Sequence, residues 1–406
     1  MTIRVHAEVL IPGKGDPIED GVVVFDGGVI TYAGPSRSAP SVADVVTEEA
    51  QVVMPGLWDC HAHLFGSPAW NIETAAWLAP ATAGARATAD LRRYLDGGVT
   101  SVREVGGYGV ELAAVVAEGS VAGPSIYGAG EVLSTTGGHG DIHSIPLDIY
   151  EGVNARGRIV GRLADGPAEC VRAVREQLRR NARVIKICAS GGVMSEVDHP
   201  IHQQFSDEEL KAIVEEAARA DRVVAAHCHG KPGIMAALKA GVRTIEHGSY
   251  LDEEAADLMK TSKAILVSTR FIVEELLGLE AQVPAYAFRK IVALADTHAQ
   301  SMKIAAAAGV TMAMGTDIFA SGHRYGQASR EIRHLVDAGL NSLEAIEAAT
   351  ANGPSTLGPQ GPQSGRLADG YDADLIALDT NPLDDIGVWG IPERVTHVWK
   401  AGKRVK

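Results

Sequence analysis

The stretch MPGLWDCHAHLFG, residues 54–66, closes an apolar run with two histidines, His61 and His63, either side of Ala62. On an extended chain residues i and i+2 point to the same side, so both imidazoles can face one interior while Ala62 faces away. Two imidazoles on one side are half of a metal site; for either alone, a hydrogen-bonded core histidine is the plainer reading. Four more residues of ligand type stand in or after apolar runs: Lys186 in VIKICASGG, His227 in VVAAHCHG, His247 in TIEHGS and Asp317 in AMGTD. An ammonium flanked by Ile185 and Ile187 is costly to bury, so Lys186 either snorkels outward, finds a carboxylate or loses its charge. A neutral lysine amine reacts with carbon dioxide to give a carbamate, an anionic oxygen ligand. Asp317 offers a carboxylate to a hard cation or to a proton, although an isolated strand-end aspartate also suits a helix N-cap. In combination the six positions favour a metal centre over six unrelated residues.

The chain between these residues must bring them to one place. Short apolar runs alternate with amphipathic, alanine-rich segments, the pattern of repeated βα units. Eight strands are expected, at 52–63, 99–106, 125–130, 182–190, 222–229, 244–249, 264–269 and 310–317. Helices lie between them, such as 207–220, where Leu210, Ile213, Val214 and Ala217 share a face. Eight parallel strands, each followed by a helix, predict an α/β fold with a closed (β/α)8 TIM barrel, and the six residues then converge on its C-terminal rim. The flanks, 1–53 and 364–406, alternate instead and carry glycine-rich turns. They predict a small β-sandwich domain formed by the N- and C-terminal segments beside a barrel at 54–363, with GPQGPQSG (358–365) as a linker.

Composition narrows the partners. A formal charge of −14 argues against a phosphate backbone, which is met by clustered Lys and Arg, so no nucleic acid is expected. No stretch approaches the roughly 18 uninterrupted apolar residues of a membrane span, so no membrane partner is expected either. The N-terminus lacks the features of a secretory signal, which points to a cytoplasmic protein. Four cysteines without a CxxC spacing read as buried thiols, not as a disulfide scaffold or metal ligands.

With PGLWDCHAH at the entry, a lysine in the fourth strand, single histidines after the fifth and sixth, GTD after the eighth and a closing GRLADGYDADLIALD, the chain resembles the amidohydrolase superfamily over almost its whole length. That resemblance implies a two-metal centre, usually zinc, bridged by a carboxylated lysine and a hydroxide. Carried over by position, His61, His63 and Asp317 hold the first ion, His227 and His247 the second, and carboxylated Lys186 bridges both. Manganese or cobalt would also suit such ligands. TGGHGD (136–141), KICASGGVMS (186–195) and AAHCHG (225–230) look like the branch of Xaa-Pro and Xaa-Arg dipeptidases and carboxypeptidases, which ochratoxin-hydrolysing amidohydrolases resemble too. These small-molecule substrates share one plan, an amide whose nitrogen belongs to an amino acid with a free carboxylate. Asp317 is then the expected catalytic proton carrier for the metal-bridging hydroxide.

Around that centre, His139 lies between glycines in TTGGHGD and is expected as a second catalytic group, donating to the developing oxyanion or to the substrate. His229 follows His227 by the period of two and is either substrate-facing or idle. For the substrate carboxylate the loops offer Arg270, His323, Arg324 and Tyr325, each as readily a solvated loop residue. Tyr108 is a weaker candidate, and Trp58 and Trp70 suit a pocket wall or the core equally. Two other functions compete. One is a cyclic amide or imidazolone hydrolase of the same superfamily, against which TGGHGD argues modestly; the other is a non-catalytic ligand-binding barrel, against which all six ligand positions are filled. A homo-oligomer is expected, with no interface located.

Overall fold

Gly56 splits the apolar run 52–63 between two sheets in the computed structural model, which describes residues 2–43, 45–154 and 161–406, without the side chain of Asn154. A Cβ at Gly56 would lie 2.1 Å from Thr100 Oγ1, so only glycine allows the chain to pass there. In chain order the N-terminal strands are β1 (Ile3–Leu10), β2 (Ile18–Asp26), β3 (Val29–Pro35) and β4 (Val46–Pro55). The middle of the chain gives β5 (Leu57–Ser67), β6 (Val99–Glu104), β7 (Ser125–Gly128), β8 (Leu133–Ser134), β9 (Arg162–Leu163) and β10 (Ile185–Cys188). There follow β11 (Val224–Cys228), β12 (Thr244–His247), β13 (Ile265–Val267), β14 (Met312–Ala313) and β15 (Ile318–Ala320). The C-terminal strands are β16 (Leu375–Leu378), β17 (Val395–Lys400) and β18 (Lys403–Arg404).

The two flanks meet through β4 and β16, with Met54 opposite Ile376, in one continuous sheet ordered β18-β17-β16-β4-β1-β2-β3. Alternation gives this sheet two apolar faces. Val23, Phe25, Val53, Leu375 and Trp399 pack together on one side, while Val52, Met54, Ile376 and Val398 belong to the main core on the other. The sheet runs to Pro55, two residues beyond the boundary expected at 53.

The middle of the chain forms two wholly parallel sheets, β14-β13-β12-β11-β10-β8-β9 and β15-β5-β6-β7, with one or more helices between successive strands except between β7 and β8 and between β14 and β15. Backbone hydrogen bonds also run between the sheets, from Cys60 N to Met314 O and from Arg183 N to Gly128 O, each 2.8 Å. Every one of the eight expected segments contains a strand; β8, β9 and β15 are additional. The helix expected at 207–220 spans Asp207–Ala218 and starts at a capping box, in which Ser206 Oγ accepts from Glu209 N and Glu209 Oε2 accepts from Ser206 N. Leu210, Ile213 and Ala217 on its apolar face are fully buried. All four cysteines are buried free thiols. Among the described residues no helix is long and apolar enough to cross a membrane.

Candidate active site

Parallel register builds the floor of the site. His227 on β11 stands opposite Cys188 on β10 and Glu246 on β12, and opposed residues share a face, so Lys186, Cys188, His227 and Glu246 all point to one interior. His61 on β5 reaches the same interior. Its Nδ1 lies 2.7 Å from Glu246 Oε2, and its Nε2 lies 3.5 Å from Lys186 Nζ and 3.4 Å from Asp317 Oδ1. Adjacent strand residues face opposite ways, so Glu246 and His247 cannot both approach His61 on regular backbone. His247 does so with a left-handed φ of +68°, and its ring centroid comes within 4.9 Å of that of His61. Asp317 has φ +58°, held by donation from its N–H to His61 O at 2.7 Å. Such backbone is costly for residues with a Cβ and persists where the surroundings enforce it.

Hydrogen bonds to three of the rings fix one nitrogen of each as a donor. Nδ1 of His61 meets the Glu246 carboxylate, Nδ1 of His63 meets Gly106 O at 2.7 Å, and Nε2 of His227 meets Gly191 O at 3.2 Å. These oxygens only accept, so each of those nitrogens carries a hydrogen, and in a neutral ring the lone pair is then on the opposite one. Burial lowers the His61 pKa to about 4, with Lys186 adding to it, and takes His227 and His247 well below the usual histidine range. Burial likewise lowers the Lys186 amine, whose only hydrogen-bond partner among the described residues is His61. Burial alone would raise the Asp317 carboxyl, but His61, His63 and Lys186 around it hold it below the ordinary range. One donor atom each of His61, His247 and Asp317 lies within 4.8 Å of the others, and the same holds for His227, His229 and His247. Imidazole nitrogens facing inward, a carboxylate held in its charged form and an amine whose charge burial disfavours fit divalent cations of borderline softness.

These groups floor a cavity of about 140 Å³ that opens to solvent, with Phe65, Ile72, Val193, Met194, Ile272 and Phe319 on its apolar wall. His139 and His229 both face it. The His139 ring stacks on His227 at 4.2 Å and places Nδ1 2.8 Å from Ser195 Oγ; burial lowers its pKa to about 4. His229 Nδ1 lies 2.7 Å from Ser249 Oγ, and burial lowers its pKa to about 3.

The four loop residues expected to hold a substrate carboxylate stand elsewhere. Arg270 turns back along its own helix to Glu274 Oε1, 2.6 Å away, and Arg324 pairs with Glu275 over the Trp70 ring. His323 is exposed, and Tyr325 is fully buried with its hydroxyl donating to His63 O at 2.7 Å. Near carboxylates and a near carbonyl satisfy these donors before the cavity is reached. Trp58 stacks on Tyr127 at 5.2 Å and Trp70 packs on Phe319 at 5.1 Å; neither they nor Tyr108 line the cavity. Lys186 is the only Lys or Arg among the described lining residues.

Residues 52–405 match the model of the amidohydrolase family. The chain belongs to that family. Ochratoxinase of Aspergillus niger is 45% identical over 417 residues, covering 99% of this chain and 86% of that protein. The crystal structure of A. niger ochratoxinase has a TM-score of 0.93 at 43% identity, over 100% of this chain and 95% of its own. A prolidase complexed with N-methylphosphonate-L-proline has a TM-score of 0.92 at 35% identity, over the full length of both chains. Imidazolonepropionase of Salinispora tropica is more distant, 27% identical over 391 residues, 89% of this chain and 86% of that protein. The amidohydrolase is therefore a hydrolase acting on amide bonds.

Three residues that sequence reasoning passed over organise this amidohydrolase site. Arg103 on β6 gives Nη2 to both oxygens of Glu246 at 2.7 Å and Nε to Cys60 O at 2.6 Å. Glu246 in turn orients His61. Asp59 takes Thr316 Oγ1 at 2.6 Å, Tyr94 Oη at 2.9 Å and the His61 N–H at 3.1 Å, locking β5 to the segment that ends in Asp317. The signal was present as charged residues inside the apolar runs TIEHGS, VTSVREVG and GLWDCHAH.

Proposed function

We propose that this amidohydrolase cleaves the amide of N-acyl amino acids or dipeptides, using two divalent cations, zinc being the expected pair. The carrying observation is Lys186, a buried amine set among histidines and an aspartate, with one hydrogen-bond partner among the described residues. As a neutral amine it adds carbon dioxide at Nζ, releases one proton and becomes an anionic carbamate. His61, His63 and Asp317 would hold the first ion, His227 and His247 the second, with carboxylated Lys186 between them. When bound, the ions would activate a water and polarise the substrate carbonyl. Asp317, ionised and partly open to the cavity, takes the proton of the attacking water and passes it to the amide nitrogen, which leaves only when protonated. His139 and His229 meet the substrate from the wall, and the apolar side chains around them receive its non-polar parts.

The substrate class is supported by ochratoxinase, by name an enzyme of ochratoxin, and by the prolidase with its proline phosphonate, and it is the plan that the family resemblance implies, an amide whose nitrogen belongs to an amino acid. Without an arginine among the described lining residues, the substrate carboxylate is left to neutral donors. On the same reading the two parallel sheets are parts of one (β/α)8 barrel at 54–363. The flank sheet, from 1–53 and 364–406, is then a small sandwich folded over its own apolar face.

The test is a mass-spectrometric panel on zinc-loaded protein and its Asp317→Asn variant, with Xaa-Pro and Xaa-Arg dipeptides, ochratoxin A and imidazolone propionate. Release of a free amino acid by the wild type alone, with metal bound to both proteins, is the expected result. Opening of the imidazolone ring alone, or undiminished turnover by Asp317→Asn, overturns the reading.

A further inference from the structure

His139 sits on one loop and is gripped by another. Residues 191–198 pass so close that a Cβ on Gly192 would lie 2.1 Å from His139 Nδ1, and Ser195 Oγ meets that nitrogen. The second loop is itself pinned. Lys290, on the helix Ala285–Ala308, donates to Gly192 O at 3.1 Å, Ser195 O at 2.7 Å and Asp198 O at 2.6 Å, and lies 3.3 Å from Asp198 Oδ1. Asp198 Oδ2 accepts from Gly192 N at 2.9 Å and Gln204 Nε2 at 3.0 Å, while Gln204 Oε1 accepts from His139 N at 3.0 Å.

Counting hydrogens along this chain gives one answer. Asp198, beside an ammonium and two further N–H donors, is ionised and has no proton to give. The one hydroxyl hydrogen of Ser195 therefore goes to Asp198, to whose Oδ1 the serine hydroxyl donates. Towards His139 the serine oxygen can then only accept, so the hydrogen sits on His139 Nδ1 and the lone pair on Nε2.

We propose that Ser195 and Asp198 are positioning residues that lock this tautomer, so that His139 meets the substrate as a hydrogen-bond acceptor at Nε2. This rests on the amide-hydrolase reading above and revises one expectation. A neutral His139 has no second N–H with which to donate to an oxyanion; its partner is an N–H or O–H of the reacting group.

The experiment has a substrate-free arm and a kinetic arm. In protein labelled with ¹⁵N-histidine, the His139 signals are identified by their loss in His139→Ala, and Nδ1 is expected as the protonated nitrogen in the wild type but not as the sole form in Ser195→Ala. A hydrogen on Nε2 in the wild type, or an unchanged tautomer in Ser195→Ala, overturns the proposal whatever the substrate proves to be. With zinc-loaded protein and ochratoxin A, Ser195→Ala is expected to lower kcat by about a hundredfold with little change in KM. Ser195→Thr, which keeps the hydroxyl, should recover most of it, and Ser195→Ala should add nothing in a His139→Ala background. A merely structural loop would raise KM instead, because Val193 and Met194 line the cavity, and its loss would add to that of His139→Ala. That outcome refutes the proposal. Wild-type turnover by His139→Ala, with the tautomer as expected, refutes the proposal's second half, that His139 meets the substrate.

Discussion

His61 and His139 face one cavity, yet the floor and the wall hold them by different means. On the floor, His61 is oriented by Glu246, and Glu246 by Arg103, all at most 1% exposed and all borne on strands. Burial raises the Glu246 carboxyl, but Arg103 and His61 bring it well below the ordinary range. On the wall, His139 is oriented by Ser195 and Asp198, which hang from a lysine on a peripheral helix; the Lys290 side chain is 16% exposed. The difference lies in what each support is also needed for. A buried ion pair that joins β6 to β12 is part of the fold, so disturbing it costs stability and chemistry together. A loop tied from outside can change the chemistry while leaving the fold in place.

The largest effect should come from the centre of the floor. Lys186→Met keeps the volume and removes both the amine and its capacity to form a carbamate. Hydrolysis of every panel substrate is expected to vanish and metal content by elemental analysis to fall, while the melting temperature of the metal-free protein holds or rises, since a desolvated amine is lost. Glu246→Gln comes next. It leaves the Arg103 guanidinium buried without its counter-charge, which should cost about 3–5 kcal/mol in chemical denaturation. Metal affinity should fall about 10–100-fold, because the ring of His61 loses its orienting carboxylate. Unchanged stability in this variant would break the contrast between floor and wall.

Lys290→Met is the matching change on the wall. Loss of its bonds to three loop carbonyls should cost about 1–2 kcal/mol and raise KM more than it lowers kcat, with metal content intact. What was legible in the sequence follows the same division. Residues at strand ends could be read because alternation and the parallel pattern place them: His61, His63, Lys186, His227, His247 and Asp317 all reach one cavity. Arg103 and Glu246 were visible as charges in apolar runs, but that they pair across 143 positions is a tertiary fact no local period records. The break at Gly56 was hidden inside a continuous apolar run, because what forces it is the nearness of Thr100. The grip on His139 was less legible still, since it depends on Lys290, which follows Ser195 by 95 residues.

The arginines of the loops show why, and give the smallest expected effect. Spacing placed Arg270 and Arg324 just beyond the seventh and eighth expected strands, on the rim where a carboxylate would be bound. A long side chain goes to its nearest strong acceptor, and each has one outside the cavity, Glu274 one helical turn on and Glu275 across from Arg324. The single variants Arg270→Gln and Arg324→Gln should therefore change kcat/KM for ochratoxin A by less than about threefold and stability by less than about 1 kcal/mol. A tenfold rise in KM in either would mean that the arginine exchanges its glutamate for the substrate carboxylate. The wall would then hold a cation that moves on binding, and the contrast with the rigid floor would become one of motion as well as of support.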